Sequence, residues 1–161
     1  MKNILVTGAG AVLGQGILRC LQEYANDFII HTADPDHKSS GHWLGNKAHI
    51  VKMANDPEYI NSIENIIQSE NIDIILIGTD TELPILSSNK RILEEKYKVI
   101  IVVSDSKVIE IANDKFLTSN FLKKNGFNFP ISYMSYDQDG ISLLKRQNNY
   151  PYIAKPIDGA R

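Results

Sequence analysis

Ile72-Asp73-Ile74-Ile75-Leu76-Ile77-Gly78-Thr79-Asp80-Thr81-Glu82-Leu83 is the stretch that decides the fold class. Residues 72–77 form a nearly continuous apolar run of strand length. A strand with one wet face alternates apolar and polar residues; a run like this one is covered on both faces, as in a parallel sheet. Gly78 closes the strand and a helix starts behind it. Thr79 or Asp80 can cap that helix, and Asp80 and Glu82 place acid in its first turn. Ligands of open α/β sheets gather at the carboxyl ends of strands. Thr79, Asp80 and Glu82 are therefore candidate substrate-binding residues as well as helix-start residues, and the two roles can coexist.

Working outward, the same alternation continues on both sides. Ile4-Leu5-Val6 reads as a buried strand, and residues 11–24 carry Val12, Leu13, Ile17, Leu18 and Leu21 at helical spacing. Residues 28–33 form a second strand, stopped by Asp34-Pro35 because proline lacks the ladder donor. Residues 37–47 are polar and read as a loop, and 48–53 as a third strand. Asp56-Pro57 reads as an N-cap with proline at the first helical position, opening a helix to about residue 70 with Ile60, Ile63, Ile66 and Ile67 on one face. A helix over 82–97 and a strand over 99–103 complete the series. Strand–helix alternation implies right-handed crossovers. The expected class is α/β: residues 1–104 form a Rossmann-like parallel sheet, strand one central, helices on both faces.

Beyond residue 104 the pattern changes. Residues 106–111 and 114–125 read as two consecutive helices, with Gly126 ending the second and Pro130 following. Residues 134–136 read as a weak strand, 140–147 as a short helix and 152–155 as a final strand. Residues 105–161 thus make a second unit, of α+β type.

Composition narrows the function classes. The 161 residues are 43% hydrophobic and 22% charged, as in ordinary globular proteins. A net charge of −2 gives no electrostatic case for nucleic acid. No apolar run approaches the ~20 residues of a membrane span, and the first residues lack a signal-peptide core. Cys20 is the only cysteine, so no internal disulfide can form, and the expected location is the cytoplasm. Cys20 is read as a small core residue beside Leu18 and Leu21. The histidines at 31, 37, 42 and 49, with Asp34 and Asp36, match no compact zinc spacing. They are read as loop surface, and no metal site is expected in this chain.

Thr7-Gly8-Ala9-Gly10-Ala11-Val12-Leu13-Gly14 joins the first strand to the first helix. Glycines allow close backbone approach, and a helix N-terminus favours anions. Asp34 follows Gly14 by twenty residues, where a dinucleotide fold keeps its ribose-binding acid. Against an NAD(P) site, the spacing is G-x-G-x-x-x-G, and no tyrosine has lysine four positions on. A βα turn also needs glycine for packing alone. Gly8 and Gly10 are accordingly read as structural or substrate-facing, with NAD(P) as the alternative.

Three segments together resemble a known superfamily. Thr-Gly-Ala-Gly at the start and Gly-Thr-Asp-Thr-Glu-Leu after the fourth strand resemble the pre-ATP-grasp domain of the carbamoyl-phosphate-synthase-like branch of the ATP-grasp superfamily. Asn113-Asp114-Lys115-Phe116-Leu117-Thr118, with Gly126 and Pro130, resembles its entry helix. Tyr150-Pro151-Tyr152-Ile153-Ala154-Lys155-Pro156-Ile157-Asp158-Gly159-Ala160-Arg161 resembles its nucleotide-binding strand and glycine-rich phosphate loop. The resemblance implies that Lys115 and Lys155 contact ATP phosphates and that Asp158, Gly159, Ala160 and Arg161 begin the flap over them. It implies a ligase that uses ATP and Mg²⁺ to phosphorylate a carboxylate and passes the acyl phosphate to an amine. The implied partners are these small molecules, neither nucleic acid nor membrane, with room for a homodimer. The second lobe that carries the Mg²⁺ ligands does not follow Lys155, so a fragment inactive by itself is expected. An NAD(P)-dependent reductase or epimerase fragment and a non-enzymatic metabolite-binding module remain the alternatives.

Overall fold

The computed structural model describes residues 1–24, 26–147 and 151–159. The chain divides into two compact units, Met1–Ser106 and Lys107–Arg161. The first holds a five-stranded sheet, β1 (Lys2–Thr7), β2 (Phe28–Asp34), β3 (Lys47–Ile50), β4 (Ile74–Ile77) and β5 (Ile100–Val102), in the order β3-β2-β1-β4-β5. Every pairing is parallel, and β1 is central as its apolar run requires. Three helices connect the strands: α1 (Val12–Gln22), α2 (Tyr59–Glu70) and α3 (Leu83–Tyr97).

Strand alternation sorts the core into two layers. Ile4 and Val6 pack with Leu18 of α1 and Ile30 on one face. Leu5, one residue out of phase, faces the other way and joins Ile75, Ile101 and the α2–α3 residues Tyr59, Ile63, Ile67, Leu86 and Leu93. The register Leu5↔Ile75↔Ile101 carries that second layer across three strands. Ile100 and Val102 are out of phase with Ile101, and both stay exposed. Asn71 and Lys98 end α2 and α3 in left-handed conformations, at φ 50° and 59°.

Several elements differ from the sequence reading. Asp56-Pro57 does not open α2. The Asp56 side chain accepts from the Glu58 N–H at 2.8 Å, and its carbonyl accepts from the Tyr59 N–H at 3.0 Å. This closes a turn, and the helix begins at Tyr59. The polar loop contains a 3-10 helix, Ser40–Leu44, and another, Asp80–Glu82, precedes α3. Cys20 is exposed rather than core. It lies 200° around the helix from Leu18, whereas Gly14, Ile17, Leu18 and Leu21 make the inward stripe. His31 is not loop surface but wholly buried on β2, and His42 bonds Thr32 Oγ1 through Nδ1 at 2.9 Å.

The second unit contains α4 (Ser106–Asn113, its first residue at the boundary), α5 (Lys115–Lys124) and α6 (Gln138–Gln147). Asp114 caps α5, its Oδ1 accepting from the Phe116 and Leu117 N–H groups at 2.8 Å each. Gly126 adopts φ 75° past the helix end. Neither 134–136 nor 152–155 forms a strand. Residues 135–136 lie in a turn, closed by Asp137 N–H donating to the Met134 carbonyl at 3.0 Å, and 152–155 join no ladder among the described residues. No helix among the described residues is long and apolar enough to cross a membrane.

Candidate functional site

The carboxyl ends of β1, β2 and β4 meet at the glycine loop. Gly8 sits at φ +55°, and a Cβ there would fall 2.7 Å from Thr79 Cγ2. Gly14 and Gly78 let three backbones touch: Gly78 N–H donates to the Thr7 carbonyl at 3.0 Å, and Gly14 N–H to the Gly78 carbonyl at 3.2 Å. A Cβ on Gly14 would run into the Gly8 carbonyl oxygen. The wide glycine spacing therefore has a structural cause in the packing of α1 against β1 and β4.

Asp34, at the end of β2, is buried, and both its carboxylate oxygens are engaged. Oδ2 accepts from Gly10 N–H at 2.7 Å and Oδ1 from Asp36 N–H at 3.0 Å. Gly10 is thus tied to the neighbouring strand end, and its carbonyl accepts from Gln15 Nε2 at 2.9 Å. Beside it, Ser39 Oγ is buried without a hydrogen-bond partner among the described residues.

Glu82 lies beneath this rim at 3% exposure. Its Oε2 accepts from Thr7 Oγ1 at 2.6 Å and its Oε1 from the Tyr59 hydroxyl at 2.8 Å. Burial pushes the Glu82 carboxyl above its ordinary range, with Asp34 adding to the push and the two hydroxyl donors opposing it. Burial, then the Glu82 charge, push the Tyr59 phenol upward, which keeps it a donor. Of the three acidic-segment residues, Glu82 is wholly occupied inside the protein. Asp80 stands outward, and Thr79 is half-buried against Gly8, its Oγ1 3.3 Å from Thr81 Oγ1. Tyr59 and Thr7 were not legible as partners of Glu82. Tyr59 reads as one more apolar-face residue of α2, and only the crossing of α2 behind β1 and β4 brings its hydroxyl to the carboxylate.

The second unit carries the candidate nucleotide residues. Lys115 opens α5. Its backbone N–H donates to the Ile157 carbonyl at 3.0 Å, and its ammonium to the Gly159 carbonyl at 2.6 Å. The 155–159 segment is therefore held at the start of α5 by the one lysine. Lys155 and Asp158 are exposed, and Gly159 adopts φ 75° with open space where a Cβ would be. Ala160 and Arg161 lie outside the described residues. The structure brings Lys115 to the Gly159 turn at the start of α5, while Lys155 stays exposed on the same segment.

Comparison with known proteins decides the family. Residues 4–103 match the model of the PylC-like, N-terminal domain. The chain belongs to that family. The match covers the five-stranded sheet and its helices, the region read from sequence as a pre-ATP-grasp domain. Among solved structures, an L-amino acid ligase from Bacillus licheniformis aligns over 99% of this chain and 37% of its own, at 15% identity and TM-score 0.70. The N5-carboxyaminoimidazole ribonucleotide synthetase of Thermotoga maritima aligns over 92% of this chain and 37% of its own, at 22% identity and TM-score 0.63. A 2-oxoglutarate carboxylase biotin carboxylase domain of Hydrogenobacter thermophilus, solved as a dimer with MgADP, ADP and bicarbonate, aligns over 93% of this chain and 33% of its own. Its identity is 20% and its TM-score 0.59. These likenesses establish the fold, and this PylC-like chain spans about a third of the length of each structure. No curated protein matches the chain.

Proposed function

We propose that this chain is the N-terminal part of an ATP-dependent carboxylate–amine ligase of the ATP-grasp type, inactive by itself. The observation that carries the reading is the order of parts. A PylC-like N-terminal domain over 4–103 is followed by an acid-capped helix whose first residue, Lys115, holds a Lys-Pro-x-x-Gly segment. In this reading the Rossmann-like domain read over residues 1–104 presents substrate at the rim formed by Gly8, Gly10, Thr79 and Asp80. Glu82 sets that rim from below through Thr7 and Tyr59. Residues 105–161 begin the nucleotide lobe.

ATP, with Mg²⁺ held by residues outside this chain, would supply the phosphoryl group that activates the carboxylate. Lys115 and Lys155 would neutralise phosphate charge, each a point-charge donor on a flexible stem. Backbone N–H groups of residues 158–161 would close over the phosphates. Lys115 is preorganised for this by α5, and exchanging the Gly159 carbonyl for a phosphate oxygen replaces a neutral acceptor with a charged one. The carbamoyl-phosphate-synthase-like branch, an acyl-phosphate intermediate and cytoplasmic location belong to the same proposal. An NAD(P) site draws less support, because both Asp34 oxygens are already engaged by backbone N–H groups.

The test is ATP titration of the full-length protein containing this chain, wild type and Lys155→Ala, by calorimetry. Loss of one charge-assisted contact costs about 1.5–3 kcal/mol, roughly ten- to a hundredfold in affinity. Unchanged nucleotide affinity would make Lys155 a surface lysine and remove the site assignment.

A further inference from the structure

Away from the strand-end rim, β2, β3 and the end of α2 bring together His31, His49 and Glu70. One ligating atom from each lies within 4.8 Å of the others. His31 Nδ1 is 3.1 Å from His49 Nε2, and the rings stack with centroids 5.4 Å apart and planes 16° from parallel. Two nitrogens on a tetrahedral zinc ion at about 2.0–2.1 Å stand roughly 3.3 Å apart, so the pair is close to ligand spacing.

The surrounding hydrogen bonds choose the tautomer. Asn3 Nδ2 donates to the Asn71 carbonyl at 3.2 Å, which turns Asn3 Oδ1 toward His31 Nε2 at 3.3 Å. His31 Nε2 must then carry the proton, and neutral His31 presents a bare lone pair at Nδ1. This is the arrangement found around metal-bound histidine, whose other nitrogen donates to an oxygen acceptor that fixes the ring. Burial pushes both imidazoles below their ordinary value. His49 and Lys47 push His31 the same way, Lys47 and His42 do so for His49, and Glu70 opposes in both cases. Neutral imidazole is the form that ligates metals.

We propose that His31 Nδ1, His49 Nε2 and a Glu70 carboxylate oxygen bind a divalent transition-metal ion of the zinc class, with solvent at the fourth position. His31 is fully buried, while His49 and Glu70 are partly exposed and give the ion an entry path. In the metal-free protein His49 Nε2–H donates to His31 Nδ1; on binding, His49 passes through solvent exchange to its Nδ1–H tautomer, so Nε2 offers its lone pair and the ring stays neutral. Lys47, whose ammonium pairs with Glu70 Oε2 at 2.5 Å, competes for the carboxylate. The site does not depend on the ligase reading.

The test titrates the intact chain with Co²⁺ and follows the visible d–d absorption, which is intense for tetrahedral and weak for octahedral ions. Zn²⁺ is then added as competitor. The expected result is one tetrahedral Co²⁺ per chain, displaced by Zn²⁺ and weakened as pH falls through the histidine range. Glu70→Gln should weaken binding at least tenfold and His49→Ala abolish the band. Lys47→Met should tighten binding by freeing Glu70, an effect that a purely structural histidine pair would not produce. His37→Ala, on the exposed loop, should change nothing. Circular dichroism checks that each variant is folded; should His49→Ala unfold, Glu70→Gln and Lys47→Met decide. Absence of a tetrahedral band, or a band unaffected by Glu70→Gln and Lys47→Met, would overturn the proposal.

Discussion

Tyr59→Phe removes one oxygen atom from the interior and leaves the ring in place. Tyr59 is 1% exposed, so no solvent replaces the lost hydroxyl, and Glu82 Oε1 keeps its charge without that donor. A hydrogen bond to a charged group is worth about 1.5–3 kcal/mol. With a urea slope of ~1–3 kcal/mol per molar, the midpoint should fall by about 1 M. The pH dependence carries the sharper test. The folded Glu82 carboxyl is raised above its unfolded value by burial. Between the two values the folded state holds more protons, so stability falls as pH rises through that window. Without the Tyr59 hydroxyl the carboxylate loses a stabilising donor, the folded value climbs further, and the window widens. The deficit of Tyr59→Phe should therefore be largest above the window and shrink toward acid pH, where a protonated Glu82 needs the donor less. Urea unfolding followed by circular dichroism at several pH values reads this directly. A deficit below about 0.5 kcal/mol at alkaline pH, or one that grows toward acid, would refute the buried Thr7–Glu82–Tyr59 arrangement.

Gly14→Ala drives a Cβ into the Gly8 carbonyl and should cost about 1–3 kcal/mol, whereas Gly16→Ala, with nothing near the added Cβ, should be neutral or stabilising by up to ~1 kcal/mol; paired thermal melts check both. Asp114→Ala removes the α5 cap and should cost ~0.5–2 kcal/mol, seen as faster hydrogen exchange at the Phe116 and Leu117 amides.

Much of the fold was legible because burial writes itself into apolar runs. Residues 72–77 announced a strand covered on both faces, and the sheet has that strand beside β1. Legibility failed where neighbours in sequence are not neighbours in space. Cys20 follows Leu18 closely in the chain yet points away from the core, because two residues turn a helix by 200°. His31 is grouped by residue type with the loop histidines, yet it falls within the strand read over 28–33, and β2, buried from Ile30 to Asp34, takes it inside. Residues 134–136 and 152–155 have strand composition without a described ladder, and composition supplies propensity, not partners. At the candidate site, the glycines and the acid after Thr79 were visible as types. Their division of labour was not, since Glu82 turns inward to a tyrosine on α2 while Asp80 stays in water.

The placement of β1 also sets an order of events during synthesis. One of its edges pairs with β2, which leaves the ribosome soon after it, and β3 can add at once. The other edge pairs only with β4, residues 74–77, far later in the chain. Until that segment emerges, β1 exposes a row of unpaired N–H and C=O groups beside Leu5 and Val6. The nascent protein is therefore open to strand-adding partners, chaperones among them, for as long as translation of the intervening residues lasts, and a pause there lengthens the exposure.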